Sequence, residues 1–259
     1  MSGGSKVLLA VSMAIALAAV PMTTPAAESG ESSDPIRISL NDWTGQFVSS
    51  RIMGGVLEKA GYDVAYVQAD YLGQFKELEA GTIDLAMEIW ATTATEAMAA
   101  AEATGKVENL GPTGMTAKED WWFPAYMVEA CPGLPDWRAL QEPACAEAFA
   151  TAESAPKGFY LGGPADWGGF DPERIEALDL PFEMAHAAST PALIAALKAA
   201  STELKTKWPG AHKAIQAYTM SNAAMEAMLA EIHGEGRTVE AVVADWLAAN
   251  EATWRAWID

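Results

Sequence analysis

Three tryptophans stand where a chain seldom needs tryptophan to fill a core. Trp43 lies in Asn41-Asp42-Trp43-Thr44-Gly45, Trp90 in Glu88-Ile89-Trp90-Ala91-Thr92, and Trp167 in the glycine-rich run from Gly162 to Gly169. Each falls where a strand-like run ends or inside a glycine-rich turn, and such loop positions in α/β proteins face the ligand crevice. A large ring at a loop tip beside a carboxylate fills a core poorly. It holds a permanently charged cation well, because the ring face is electronegative and a cation of that kind makes no hydrogen bonds. Ordinary half-buried tryptophan is the alternative for any one of the three, and a weaker account of all three together.

The elements that must position these rings follow from periodicity. Pro35 to Leu40 alternates as a strand does, and Phe47 to Leu57 repeats at helical spacing until Gly61. Val64 to Val67 reads as a strand, Leu72 to Ala80 as a helix closed by Gly81, and Ile83 to Trp90 as a third strand. This β-α-β-α-β series predicts an α/β protein with a mostly parallel sheet. Further on, Thr95 to Thr104 reads as a helix, Trp121 to Met127 as a strand broken by proline, and Phe159 to Leu161 as a short strand. Pro172 to Leu178 reads as a helix with proline at its start. Phe182 to His186 reads as a strand and Pro191 to Ala200 as a helix. No strand is expected after His186. Residues 203–259 read as helical, broken at Pro209-Gly210 and at Gly234-Glu235-Gly236. Thr238 caps a last amphipathic helix whose Trp246, Trp254 and Trp257 recur with aliphatic residues and so are packing.

Lys6, the apolar run Val7 to Val20, and Ala26-Ala27 form an export signal, so residues 1–27 are expected to be removed and the protein to be periplasmic. No cysteine follows the apolar run, which argues against a lipid anchor, and residues 28–34 read as a disordered spacer. No later stretch suits a membrane helix. In an oxidising compartment Cys131 and Cys145 are expected to pair, a loop worth about 3 kcal/mol in the chain-entropy model; two free thiols are the alternative. The formal charge of −19 argues against nucleic acid and anionic membranes as partners. It favours cationic ligands mildly, and serves solubility equally well.

Catalytic signatures are missing. There is no Gly-x-Ser-x-Gly elbow, phosphate loop, dinucleotide fingerprint or His-Glu-x-x-His. His186, His212 and His233 have no companions at ligand spacing, and His212 and His233 read as surface or boundary residues. No enzyme, metal or cofactor is expected.

From about residue 36 to its end the chain resembles the periplasmic substrate-binding proteins of ABC importers for glycine betaine, choline and related quaternary ammonium compounds. Gly81 to Trp90 resembles the family's strand that ends in a cage tryptophan, and Asp42-Trp43-Thr44 its first ligand loop. Trp121 to Tyr126 resembles its aromatic-Val-Pro-x-Tyr strand, Gly162 to Gly169 its glycine-rich ligand turn, and Val239 to Trp257 its closing helix. The resemblance implies a two-lobed clamshell of type II, a monomer that closes on its ligand and docks on an inner-membrane ABC permease. It carries over Trp90, Trp167, Trp43 and Trp122 as cage residues. Asp42 and Asp166 then either offset the ligand charge or cap turns. The lobes are expected at 35–92 plus 203–259 and at 93–202.

One departure stands out. In the family, the helix like Pro191 to Ala200 precedes a strand with another tryptophan in a Trp-x-Pro-His-Trp-like run. Here Ala200-Ser-Thr leads straight into Glu203 to Pro209. Several tens of residues, with one crossing and one cage wall, are therefore expected to be missing and binding to be weaker. The outward crossing is expected near Ala91 to Thr95 and the return within Ser201 to Lys207. The competing readings are a binder of another amine or amino acid, a non-binding periplasmic interaction protein of the same lineage, and a secreted enzyme.

Overall fold

The structure, a computed structural model, describes residues 31–116, 119–186 and 197–258. The expected leader and its cleavage point lie outside them. The first unit is built as the periodicity predicts: β1 Ile36–Leu40, α1 Thr44–Lys59, β2 Val64–Gln68, α2 Gln74–Ala80, β3 Leu85–Ile89, α3 Ala91–Ala103 and β4 Val107–Pro112. The sheet runs β2-β1-β3-β8-β4, where β8 is Leu197–Ser201. β1 pairs parallel with β2 and β3, and β8 lies antiparallel between β3 and β4.

Both faces of this sheet are covered, so its central strands are buried on both sides rather than alternating with solvent. Leu85 and Met87 of β3 join one apolar cluster, with α1 and residues of the C-terminal helices. Ala86 and Ile89 join the other, with Phe75, Leu78, Ala94 and Met98. Gly81 ends α2 at a φ of 66°, the left-handed conformation that glycine adopts without a Cβ penalty.

The second unit is smaller. β6 Gly158–Gly162 and β7 Phe182–His186 form a parallel pair, with α6 Asp171–Ala177 between them in sequence. Around them pack α4 Met127–Ala130, the short β5 Pro132–Pro135 and α5 Pro143–Ala148. Cys131 and Cys145 are joined in a disulfide, Cα–Cα 4.7 Å, within the core that also holds Met127, Leu134 and Leu140.

The rest is helical: α7 Thr202–Lys207, α8 Pro209–Ala217, α9 Asn222–Glu235, α10 Val239–Ala249 and α11 Glu251–Ile258. Thr238 caps α10 by accepting from the Ala241 N–H, and Trp254 and Trp257 are buried in the first unit's core.

Several expectations are corrected. Residues 197–201 are strand and not the end of a helix; 191–196 lie outside the described residues. The alanine-rich local preference yields to two flanking strands whose backbone groups β8 pairs. A strand therefore does follow His186.

The lobe boundaries move for the same reason. α3, β4 and β8 stay with the five-stranded sheet, so neither 93–112 nor 197–202 belongs to the second lobe. Ala91 to Thr95 opens α3, and Ser201 to Lys207 is the end of β8 followed by α7. The chain leaves the first unit only after Thr116, which Asn222 clamps through its N–H and C=O.

Trp121 to Met127 forms no strand, because Pro124 lacks the N–H a ladder needs and α4 starts at Met127. Residues 31–34 are not a free spacer: the Ser32 N–H donates to Lys207 O, Ser32 O accepts from Trp208 Nε1, and Glu31 accepts from the Gly210 N–H. His212 is buried, with its Nε2 3.0 Å from Glu108 Oε2.

Candidate functional site

The three tryptophans follow the carboxyl ends of strands. Trp43 precedes α1 after β1, Trp90 links β3 to α3, and Trp167 ends the one-turn 3-10 helix Ala165–Trp167 after β6. They line a single cavity of about 480 Å³ between the two units, a size that suits a small-molecule site. Trp122 lines it too, from its exposed rim.

A carboxylate lies behind the first two rings. Glu88 on β3 is fully buried; its Oε1 accepts from Trp43 Nε1 at 2.6 Å and from Trp90 Nε1 at 3.3 Å. Ser49 Oγ donates to the other oxygen at 3.3 Å. Burial pushes the Glu88 carboxyl up to about 7, against the opposing pull of these hydrogen bonds. Gly45 leaves room for that carboxylate: a Cβ there would stand 3.4 Å from Glu88 Oε2. Tyr71 completes this wall. Its hydroxyl accepts from the Trp90 N–H at 2.6 Å, and its ring meets Trp43 edge-on at 5.2 Å.

The opposite wall comes from the second unit. Trp121 stacks on Tyr160 with centroids 4.2 Å apart. Asp171 fixes the pair, accepting from Trp121 Nε1 at 2.8 Å, Tyr160 OH at 3.2 Å and Arg174 Nη1 at 2.9 Å. Burial, with the charge of Asp171 next, raises the Tyr160 hydroxyl.

Trp167 joins the two walls. Its ring lies edge-on to Trp43 at 5.3 Å, and its Nε1 donates to Asp42 Oδ1 at 3.0 Å. Gly168, at φ 71°, brings the same turn against the first unit, where a Cβ would stand 3.2 Å from Leu72 Cδ1.

The cavity thus gathers Trp43, Trp90, Trp167 and Trp122. Asp42 is not among its lining residues; it holds Trp167 from outside. Asp166 occupies the middle of the 3-10 turn, and its side chain lies outside the described residues. The sequence reading missed Glu88, Tyr71, Tyr160, Asp171 and Arg174 as site residues. Glu88 left a signal, an acid within an apolar strand next to Trp90, since a carboxylate is rarely buried without partners. Tyr160 and Asp171 left none, because their pairing with Trp121 spans 39 to 50 residues of chain. Among the described residues no cluster of His, Cys, Asp or Glu can hold a metal ion.

Residues 34–204 and 198–249 match the family model of the substrate-binding domain of the ABC-type glycine betaine transport system. A curated relative, the trimethylamine N-oxide-binding protein of Pelagibacter ubique, is 35% identical over 180 residues. That match covers 68% of this chain, and the chain spans 57% of the length of that relative. The fold is that of a lactococcal glycine betaine-binding domain solved in its closed, liganded form (TM-score 0.69, 14% identity, 87% of this chain and all of that one). It is also that of an ABC-transporter choline-binding protein solved with choline (TM-score 0.67, 14% identity, 86% of this chain and 91% of that one). The two units are therefore the lobes of a type II periplasmic-binding-protein fold. The chain belongs to the family of substrate-binding domains of ABC-type glycine betaine transport systems, which bind their substrates and do not transform them.

Proposed function

We propose that the chain is the extracytoplasmic binding component of an ABC importer, and that it captures a small compound with a methylated ammonium group: glycine betaine, choline or trimethylamine N-oxide. One observation carries this reading. Trp43, Trp90 and Trp167 converge on one cavity with every indole N–H already bonded to a carboxylate. With their polar edges occupied, the rings have only π faces and carbon to offer a ligand. A methylated ammonium is the cation that such surfaces suit, because it needs no hydrogen bonds. Trp122 contributes at the rim. The ligands named for the relatives share this group. The leader is cleaved near Ala26-Ala27, and the mature protein acts in the periplasm as a monomer that delivers its ligand to an inner-membrane permease.

Calorimetric titration of the three ligands into wild type and Trp90→Ala tests this. At least one ligand should bind, and loss of the Trp90 ring should cost about 0.5–2 kcal/mol of binding. A neutral isostere of choline should bind much more weakly. Equal affinity in Trp90→Ala, or no binding of any of the three to folded wild type, ends the reading.

A further inference from the structure

Aromatic faces cannot tell choline from glycine betaine, because each presents the same trimethylammonium group. The far end of the ligand must decide, and it meets the charged side chains of the cavity. Those are Glu119, Asp120, Asp171 and Arg174. Asp171 is already engaged by Trp121, Tyr160 and Arg174. Arg174, the one cation among the described lining residues, holds that carboxylate at 2.9 Å. Three acids against one base leave this lining with a net excess of negative charge.

Glu119 is one of these lining acids. It is half-buried on the segment that crosses between the lobes. Burial raises the hydroxyls of Tyr71 and Tyr160, and the charge of Glu119 adds to both. A ligand carboxylate brought to about 4 Å from it loses roughly fivefold in affinity even at the dielectric of water, and more as the cleft dries on closing.

Resting on the ligand class proposed above, we infer that Glu119 is a specificity-determining residue that selects a methylated ammonium compound with no anionic group, such as choline, over zwitterions that carry a carboxylate, such as glycine betaine. The opposing possibility is that Arg174 spares a donor for the ligand carboxylate and so favours glycine betaine.

The test is calorimetry of choline, trimethylamine N-oxide and glycine betaine with wild type, Glu119→Gln, Glu119→Lys and Arg174→Gln, each checked for fold by circular dichroism. Wild type should bind choline more tightly than glycine betaine. Glu119→Gln should narrow the gap between choline and glycine betaine by roughly fivefold, and Glu119→Lys should narrow it further or reverse it. Arg174→Gln, which removes the positive charge among the described lining residues, should widen the gap in favour of choline. Glycine betaine bound as tightly as choline by wild type, or a gap unmoved in both Glu119 variants, would each overturn the inference while leaving the binding function in place. Failure of wild type to bind any of the three removes the function itself, and this inference with it.

Discussion

In the first lobe one carboxylate, Glu88, holds two indoles from behind. In the second lobe one carboxylate, Asp171, holds an indole and a phenol. The arrangements look alike and differ in what surrounds the acid. Glu88 sits 1% exposed on a central strand, with helices over both faces of the sheet. Its partners are neutral donors, and the titratable side chains near it, Tyr71 and Tyr218, are both raised by burial and neutral at working pH. Asp171 has a side chain 20% exposed, a guanidinium beside it, and a two-stranded sheet beneath it. The first wall is therefore part of the fold's core and the second is mounted on a lighter frame. Changes at Glu88 should cost stability as well as binding; changes at Trp121 should cost binding alone.

The largest effect is expected at Glu88. Glu88→Leu leaves two buried indole N–H groups and a serine hydroxyl without their acceptor, at about 1–3 kcal/mol each. A loss of roughly 4 kcal/mol in denaturant unfolding, together with loss of ligand binding, is expected. Glu88→Gln keeps one acceptor and should retain most of the binding. It should also change the pH profile. The folded-state carboxyl titrates near 7 against an ordinary 4.5, so the unfolded chain gives up this proton first. The stability contributed by the neutral form is fully present below 4.5 and lost as pH rises through about 7. Wild type should therefore lose stability across that window relative to Glu88→Gln. Parallel profiles would mean that Glu88 titrates alike in the folded and unfolded states and that the two walls differ little in burial.

The disulfide sharpens the comparison from the other side. The second-lobe core is small, and the Cys131–Cys145 bond closes one of its loops. Cys145→Ala should cost about 3 kcal/mol in the chain-entropy model, and the loss should fall on the second lobe. Hydrogen exchange should quicken in 127–149 while β1 and β3 stay protected. A uniform increase across both lobes would show that they unfold as one unit.

Trp121→Ala comes next. It removes the ring stacked on Tyr160 but leaves Asp171 with two donors. An affinity loss of about 1–2 kcal/mol with an unchanged melting temperature is expected. A large drop in melting temperature would make the second wall as structural as the first. This ring also bears on the cage wall expected to be missing: Tyr71, Trp121 and Tyr160 line the cavity alongside Trp43, Trp90, Trp122 and Trp167.

What the sequence disclosed and withheld follows the range of each interaction. β1, β2 and β3 were legible because each strand carries its own pattern, and the three rings because Trp43 and Trp90 follow such runs and Trp167 lies in a glycine-rich turn. The C-terminal helices were legible from local period and from Thr238. β4, reading Val-Glu-Asn-Leu-Gly-Pro, was hidden by its polar and breaking residues. β8 was hidden by alanines that prefer helix until two strands flank them. Misplacing those two strands moved both lobe boundaries. Glu88 left a signal as an acid within an apolar strand, but its bond to Trp43, 45 residues upstream, was illegible.

Asp42 gives the smallest effect and the finest test of how the walls are joined. Sequence alone left it as a counter-charge for the ligand or as a turn cap. Its contact is instead with Trp167, across 125 residues of chain and between the lobes, at 3.0 Å and exposed to solvent. A hydrogen bond of this kind with a charged acceptor contributes on the order of 1 kcal/mol when exposed. Because it bridges the lobes, its loss should show as faster ligand release more than slower capture. Asp42→Ala should then raise the dissociation rate roughly fivefold, and Trp167→Phe, which keeps the ring and loses the N–H, should do the same. The double variant should be no worse than either, since both remove one bond. Asp42→Asn separates the two roles, for it keeps an acceptor oxygen and discards the charge. A latch predicts that Asn behaves nearly as wild type; a counter-charge predicts that Asn is as poor as Ala. If Asn matches Ala, the bond to Trp167 is incidental, and Asp42 acts on the ligand through its field from outside the cavity.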